Sequence, residues 1–190
     1  LWQQKLRLNA ALFHYVYEDK QVTQFEAGSG GASSIIANAG KTEALGVEIE
    51  ATLIPVTGLL LKASYGFIDN DIKEFDTTPS NPVTGVGSGT ENVDISDIAE
   101  TIHTPRHNAS LIAEYTFEPF SFGQLVVQAD ASYNSERYFH PINNLYDSAG
   151  KQTLINARAS LTNIEVGAGS LRVSAWGKNL ADKGYREWGI

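Results

Sequence analysis

The chain has 190 residues and carries 14 Lys and Arg against 22 Asp and Glu, a formal net charge of −8. That balance excludes the basic face on which nucleic-acid binders rely, so no nucleic-acid partner is expected. The absence of Cys excludes disulfides, thiolate metal sites, iron–sulfur clusters and a Cys nucleophile.

Met is also absent, position 1 is Leu, and Glu187-Trp188-Gly189-Ile190 carries no terminating feature, so both ends read as cut from a longer protein. The most apolar charge-free stretch, Ala51 to Leu61, is broken by Pro55 and Gly58. A spanning helix needs about 20 apolar residues. This excludes a helical span only, because barrels cross membranes in short alternating segments with a weak hydropathy signal.

The dominant period is two, which in a strand places alternate side chains on opposite faces. Leu6 to Thr23 sets Leu6, Leu8, Ala10 and Leu12 opposite Arg7 and Asn9. From Ala44 to Leu53, Leu45, Val47, Ile49, Ala51 and Leu53 stand opposite Gly46, Glu48, Glu50 and Thr52. Leu59 to Asp69 sets Leu61, Ala63, Tyr65 and Phe67 against Lys62, Ser64 and Gly66. Arg106 to Phe117 sets Ala109, Leu111, Ala113 and Tyr115 against Asn108, Ser110 and Glu114. Leu125 to Tyr133, Thr153 to Thr162 and Leu171 to Asn179 continue the alternation. Seven strands result. Asp94 to Thr101 is the one weak helical candidate, inside a long loop.

The connections alternate. Glu26–Gly40, Phe75–Pro105 and Phe139–Gln152 are long; Pro55–Gly58, Glu118–Gly123 and Glu165–Gly169 are short. An up-and-down meander in an outer membrane has short periplasmic turns and longer extracellular loops. Several strands reach 10 residues, against a usual length of about 5–6 and a need of about 9–11 for a tilted transmembrane strand.

The fold class expected is therefore all-β: an antiparallel up-and-down meander forming part of a transmembrane β-barrel. Leu45, Val47, Ile49, Leu61, Ala63, Leu111, Ala113, Val127, Ala129, Ala157, Ala159 and Val173 are expected to face lipid. Glu48, Glu50, Lys62, Glu114, Asp130, Arg158 and Arg172 are expected to face a wet lumen. Phe13, Tyr15, Tyr17, Tyr65, Phe67, Tyr115, Phe117, Tyr133 and Tyr138 are read as interfacial girdles, where one end of a ring is apolar and the other wet.

Ordered motifs sharpen this. Asn38-Ala39-Gly40-Lys41 followed by Gly46-Val47-Glu48-Ile49-Glu50 resembles the descending strand typical of the TonB-dependent outer-membrane receptor family. Pro55, Gly58 and Leu59 resemble its turn, and Tyr65 and Phe67 its aromatic-ended ascending strand. Thr104-Pro105-Arg106-His107 resembles the next descending strand, and Asn179-Leu180-Ala181-Asp182-Lys183-Gly184-Tyr185 a near-terminal signature.

The resemblance implies a barrel of about 22 strands filled by an N-terminal plug, of which residues 1–190 would be a C-terminal segment of about seven strands. It also implies residence in the outer membrane of a Gram-negative bacterium, with outer-membrane lipid and lipopolysaccharide as surroundings. The implied activity is uptake of a scarce large nutrient, by family frequency a ferric siderophore, energised by the inner-membrane TonB complex. The plug, the TonB box and a final strand ending in an aromatic residue are not in this chain, so coupling is expected of the parent protein only. The alternatives are a small outer-membrane barrel, with Leu1-Trp2 as the stub of an eighth strand, or a soluble β-rich adhesin or binding module.

Competing chemistry is thin, and neither an enzymatic role nor a cofactor is expected. Glu48 and Glu50, about 7 Å apart along one face, read as solvated lumen acids rather than a glycosidase pair. Asp69-Asn70-Asp71 opens like a calcium loop, but Lys73 and Glu74 occupy its fifth and sixth positions, where the sixth must be Gly. The match therefore fails, no metal site is expected, and a calcium site of another kind in that loop is only a minor alternative. Gly85-Val86-Gly87-Ser88-Gly89 is a flexible loop without dinucleotide spacing, and His14, His103, His107 and His140 share no metal spacing. Arg137, Tyr138 and His140, at an outer strand end, are the candidates for contact with an anionic ligand or lipopolysaccharide.

Overall fold

The computed structural model describes residues 5–19, 21–28, 31–38, 40–77, 93–141 and 148–187. Thirteen strands follow in chain order: β1 Leu6–Tyr17, β2 Gln21–Gly28, β3 Gly31–Asn38, β4 Lys41–Leu53, β5 Leu59–Glu74, β6 Asp76–Thr77, β7 Val93–Asp94, β8 His107–Thr116, β9 Gln124–Asn134, β10 Arg137–Tyr138, β11 Ser148–Ala149, β12 Gln152–Val166 and β13 Gly169–Gly177. No helix occurs among the described residues.

Seven strands form one sheet in the order β1-β4-β5-β8-β9-β12-β13. Every neighbouring pair in it is antiparallel. β5 and β12, at 16 and 15 residues, run well past the usual strand length. One end of the sheet carries the short connections, residues 54–58, 117–123 and 167–168. The other carries the long ones, and each long connection holds a two-stranded pair of its own: β2–β3, β6–β7 and β10–β11. These pairs satisfy backbone groups that a structureless loop would leave to water.

Two local features differ from the sequence reading. The first strand stops at Tyr17 rather than Thr23, and the Glu26–Gly40 segment belongs largely to the β2–β3 hairpin. Its Gly, Ser and Ala residues have low strand propensity, but ladder pairing from Gln21↔Asn38 to Gly28↔Gly31 outweighs that. β12 also outruns Thr162: its partner register jumps from Leu161↔Val173 to Ile164↔Leu171, with Asn163 at φ 57. The extra residue is a β-bulge. It resets the alternation, so that Ile164 joins the face of Leu161.

Asp94 to Thr101 is a single hydrogen-bonded turn, with Ile98 and Ala99 amides donating to the Ile95 carbonyl, not a helix. Asp69, Asn70 and Asp71 lie within β5 rather than in a loop. Arg106 Nη2 holds Asp69 Oδ1 at 2.6 Å, and Lys73 pairs with Asp71. Both acids therefore have protein cations as partners, on a strand rather than in the loop that the calcium alternative supposed. The Gly85–Gly89 run and the Leu1-Trp2 stub lie outside the described residues.

Among the described residues no second layer packs on the sheet. The buried apolar side chains among the described residues are Ala44, Phe75, Ile95, Phe139 and Ala149. Phe75 and Ile95 pack with Ile72 and Ala99 at the long-loop end. Asp94 closes that cluster, its Oδ1 accepting from the amides of Phe75 and Ser96 at 2.9 Å each. These two bonds hold its carboxyl below the usual carboxylate range.

Candidate functional site

The ladder register sorts the sheet into two faces. One face reads, row by row across the strands, Leu12–Val47–Phe67–His107; Ala10–Ile49–Tyr65–Ala109–Tyr133–Thr153; and Leu8–Ala51–Ala63–Leu111–Ala131–Ile155. It continues as Leu6–Leu53–Leu61–Ala113–Ala129–Ala157; Leu59–Tyr115–Val127–Ala159–Ala175; and Leu125–Leu161–Val173. With Leu45, opposite His14 and Asp69 at the margin, this face carries all twelve residues expected to meet lipid. No Asp, Glu, Lys or Arg occurs in its six rows. Among the described residues nothing covers it: Leu12 is 75% exposed, Leu111 51% and Val173 55%.

Aromatic rings mark both margins of this face. Tyr65 Oη lies 2.8 Å from His107 Nδ1, and the Phe67 and His107 rings are tilted with centroids 5.1 Å apart. At the short-turn margin Tyr115 and Phe117 meet edge to face at 4.7 Å. Beyond the long-loop margin the same face becomes charged. His14 Nε2 lies 2.7 Å from Glu43 Oε1, Lys73 Nζ lies 3.9 Å from Glu43 Oε2, and Asp69 holds Arg106.

Phe13, Tyr15 and Tyr17 do not join this margin. Phe13 pairs with Gly46, Tyr15 with Ala44 and Tyr17 with Thr42, all on the opposite face. Gly46 makes room for the Phe13 ring: a Cβ there would stand 2.2 Å from Phe13 Cζ. Phe13 stacks on Tyr15 at 6.2 Å. Alternation runs unbroken through β1, so odd-numbered aromatics cannot share a face with Leu8, Ala10 and Leu12.

The opposite face is hydrogen-bonded along its rows. Asn9 Nδ2 donates to Glu50 Oε2 at 3.3 Å, Ser64 and Ser110 hydroxyls meet at 2.7 Å, and Asn156 Nδ2 donates to Asp130 Oδ2 at 2.6 Å. Arg158 bridges strands, donating to Ser160 Oγ at 3.1 Å and Ser174 Oγ at 3.2 Å. The register also puts Glu48, Lys62 and Glu114 on this face, and Arg172 follows by alternation between Leu171 and Val173. The face is not purely polar. Ile112 sits between Lys62 and Asp130, and Trp176 stands beside Arg158 with Lys178 Nζ 5.7 Å from its ring centroid.

Among the described residues, neither of two clefts at the long-loop end brings the three ligand-contact candidates together. Arg137 donates to Gln152 Oε1 at 3.1 Å and to the Arg186 carbonyl at 2.9 Å, tying the segment after β13 to the start of β12. Tyr138 lines a cleft of about 320 Å³ with Asn70, Glu100, Arg106, His107 and Glu136, and neither Arg137 nor His140 borders it. Partial burial, then the charges of Glu100 and Glu136, push the Tyr138 phenol up. His140 follows β10 and is half-buried.

A second, more open cleft of about 570 Å³ lies between Ser148–Gln152 and Lys183–Arg186, and Lys151, Lys183 and Arg186 line it. Asn179 shapes its wall, donating to the Lys183 carbonyl at 3.1 Å and accepting from the Lys183 amide at 3.0 Å. The sequence reading passed over these cations because Lys151 lies more than 30 residues before Lys183 and Arg186 in the chain. The Asn179–Tyr185 motif was their one local signal. Among the described residues no three His, Asp or Glu side chains cluster to hold a metal ion.

Long antiparallel strands in a meander, apolar and uncovered on one face and hydrogen-bonded on the other, define a section of barrel wall. Residues 1–180 match the family described as TonB dependent receptor-like, beta-barrel, and the chain belongs to that family. No curated protein sequence matches the chain.

Among solved structures it resembles the ferric yersiniabactin uptake receptor FyuA from Yersinia pestis, with a TM-score of 0.67 at 21% identity over 99% of this chain and 24% of that one. It also resembles BauA, the ferric preacinetobactin receptor from Acinetobacter baumannii, with a TM-score of 0.65 at 17% identity over 96% of this chain and 24% of that one. At such identities the likeness is one of fold, and the chain spans about a quarter of either receptor's length.

Proposed function

We propose that this chain is a section of the wall of an outer-membrane TonB-dependent receptor, with its apolar face against lipid and its polar face toward the lumen. The observation that carries the reading is the uncovered apolar face: six rows of Leu, Val, Ile, Ala and aromatic side chains, with Thr153 and His107 as the polar members, no Asp, Glu, Lys or Arg, and no packing partner among the described residues. In water such a surface is far larger than the patches monomeric proteins expose. On β5 the apolar residues run from Leu59 to Phe67, about 27 Å along the strand and about 20 Å along a barrel axis at the usual tilt, close to the height of an outer-membrane apolar band.

The long-loop end then lies outside the cell and the short turns in the periplasm. Glu48, Glu50, Lys62, Glu114, Asp130, Arg158 and Arg172 line a wet interior, where a plug supplied by the rest of the parent protein would sit. The parent takes up a ferric siderophore or a similar anionic chelate, with energy from the TonB complex. The names of the two structurally similar receptors support that substrate class. So do the cations Lys151, Lys183 and Arg186 at the long-loop end, which join Arg137, Tyr138 and His140 as candidates for ligand contact.

Substitution on adjacent positions of β4 tests the wall. Val47→Arg puts a cation on the lipid side, at up to about 2–4 kcal/mol near the bilayer midplane. It is expected to abolish assembly, read as loss of the heat-modifiable folded band in outer-membrane fractions. Glu48→Gln is expected to assemble and support ferric siderophore-dependent growth. Equal tolerance of both substitutions contradicts the assignment of faces.

A further inference from the structure

Deep on the polar face of β12 and β13 stands a group of side chains apart from both clefts. Arg158 falls between the Ala157 and Ala159 rows, in the half of the wall nearer the short turns. It lies about 20 Å along β12 from Gln152, far from the cleft of Lys151, Lys183 and Arg186. One edge of its guanidinium is held: Nε donates to Ser160 Oγ at 3.1 Å and Nη2 to Ser174 Oγ at 3.2 Å. The two hydroxyls lie 2.9 Å apart, and Ser160 is buried, so the guanidinium plane is fixed in direction. Its Nη1–Nη2 end meets no acceptor among the described residues.

Trp176 stands directly across from Arg158 in the ladder and is 68% exposed. Lys178 Nζ lies 5.7 Å from its ring centroid, and Arg172 shares the same face of β13. Among the described residues no carboxylate forms an ion pair with Arg158, Arg172 or Lys178. Asp130 accepts from Asn156 Nδ2 at 2.6 Å, and Glu114 is two strands away from Arg158, across Gln128. Glu165 stands at the far end of β12, beyond the bulge.

We propose that Arg158, Trp176 and Lys178 form an inner anion site on the lumen wall, which takes a carboxylate carried on an aromatic ring. The open end of the guanidinium presents two parallel N–H groups to the carboxylate oxygens, a geometry that Arg supplies and Lys does not. The exposed indole offers a flat apolar face to the ring. Lys178 and Arg172 keep the local potential positive, which concentrates anions within a low-dielectric wall. The site rests on the lumen-facing reading of this side of the sheet and deepens it. A chelate held at the outer cleft would meet a second cationic station on the same two strands before it reaches the periplasm.

The chain has no Cys, so a single introduced Cys reports one position. The test uses the full-length receptor in detergent micelles, with any Cys elsewhere replaced. Gln128→Cys lies across from Arg158 on β9. It is labelled with an anionic and a cationic methanethiosulfonate, each rate divided by that of a small thiol in solution. The anionic reagent is expected to react several-fold faster, and Arg158→Gln to remove the preference. Lys178→Gln, expected to weaken it, replaces Arg158→Gln if that variant does not fold. Benzoate is expected to slow labelling, acetate at the same concentration to leave it unchanged, and Trp176→Leu to abolish the benzoate effect. No preference between reagents, equal slowing by benzoate and acetate, or benzoate protection that survives Trp176→Leu overturns the inner site. The wall then stands, because Gln128→Cys is still labelled from water. Labelling of Val127→Cys but not of Gln128→Cys overturns both the site and the assignment of faces. Silence at both positions overturns the site alone, because a passing chelate must reach it through water.

Discussion

Glycines at the sheet's short-turn end share a sign of φ but not a setting. Gly58, at φ 87, would bring a Cβ within 2.5 Å of the Thr116 carbonyl oxygen, while its own carbonyl accepts from the Thr116 amide at 2.8 Å. Gly167, at φ 59, has nothing within 4 Å. Gly167→Ala should cost about 1–2 kcal/mol from the left-handed backbone alone. Gly58→Ala should cost more, because a backbone oxygen must also move; urea denaturation of the receptor in detergent micelles would rank the two. Equal costs would mean that the Thr116 contact is relieved without strain. Pro55 and Gly58 were legible as a turn, but the clash that makes Gly58 stringent was not, since Thr116 lies far along the chain. Phe13 teaches the same lesson. Its aromatic character suggested a girdle, while its odd number, counted from Leu8 and Leu12, already put it on the face where Gly46 makes room.

Strands of the wall were legible because one face is uniformly apolar, and a one-residue slip would invert every side chain. Seven strands and the long–short alternation of their connections follow from that pattern. The pairs inside the long connections did not show, since β2–β3 runs through Gly, Ser and Ala residues of low strand propensity and β6–β7 is only two residues long on each side. Asp94 illustrates what holds one of these connections instead. Its carboxylate accepts two backbone amides, and its pKa lies below its ordinary 3.8. A group depressed in this way stabilises the fold at pH above its ordinary value, and the contribution is lost as the pH falls through the lower, folded value. Amide exchange at Phe75 and Ser96 should therefore accelerate relative to neighbouring loop amides as the pH drops below the ordinary carboxylate range. Asp94→Asn should remove that pH response. A response unchanged in Asp94→Asn would assign the closure to the Phe75–Ile95 cluster instead. The bulge at Asn163 was equally hidden, because Leu161 and Ile164 look out of phase until the register shift brings them to one face.

As a whole the molecule is a curtain of strands rather than a core wrapped in a surface. β1 and β13 each pair on one side only, as sections of a larger barrel do, and neighbouring strands of that barrel would close both edges. Membership of the receptor family was legible in ordered motifs from Asn38 to Tyr185. The candidate ligand cleft was not, because its cations come from segments far apart in the sequence and meet only where Arg137 ties the two together. The central claim is that consecutive residues of β4 alternate between lipid and water. Spin labels placed singly from Ala44 to Leu53 in the reconstituted receptor test it directly, read by collision with oxygen, which concentrates in lipid, and with a water-soluble nickel chelate. Oxygen maxima are expected at Leu45, Val47, Ile49, Ala51 and Leu53, and chelate maxima at Glu48, Glu50 and Thr52, whereas Ala44 and Gly46 are buried and report neither. Accessibility that rises and falls without this period of two, or with the two sets exchanged, would contradict it.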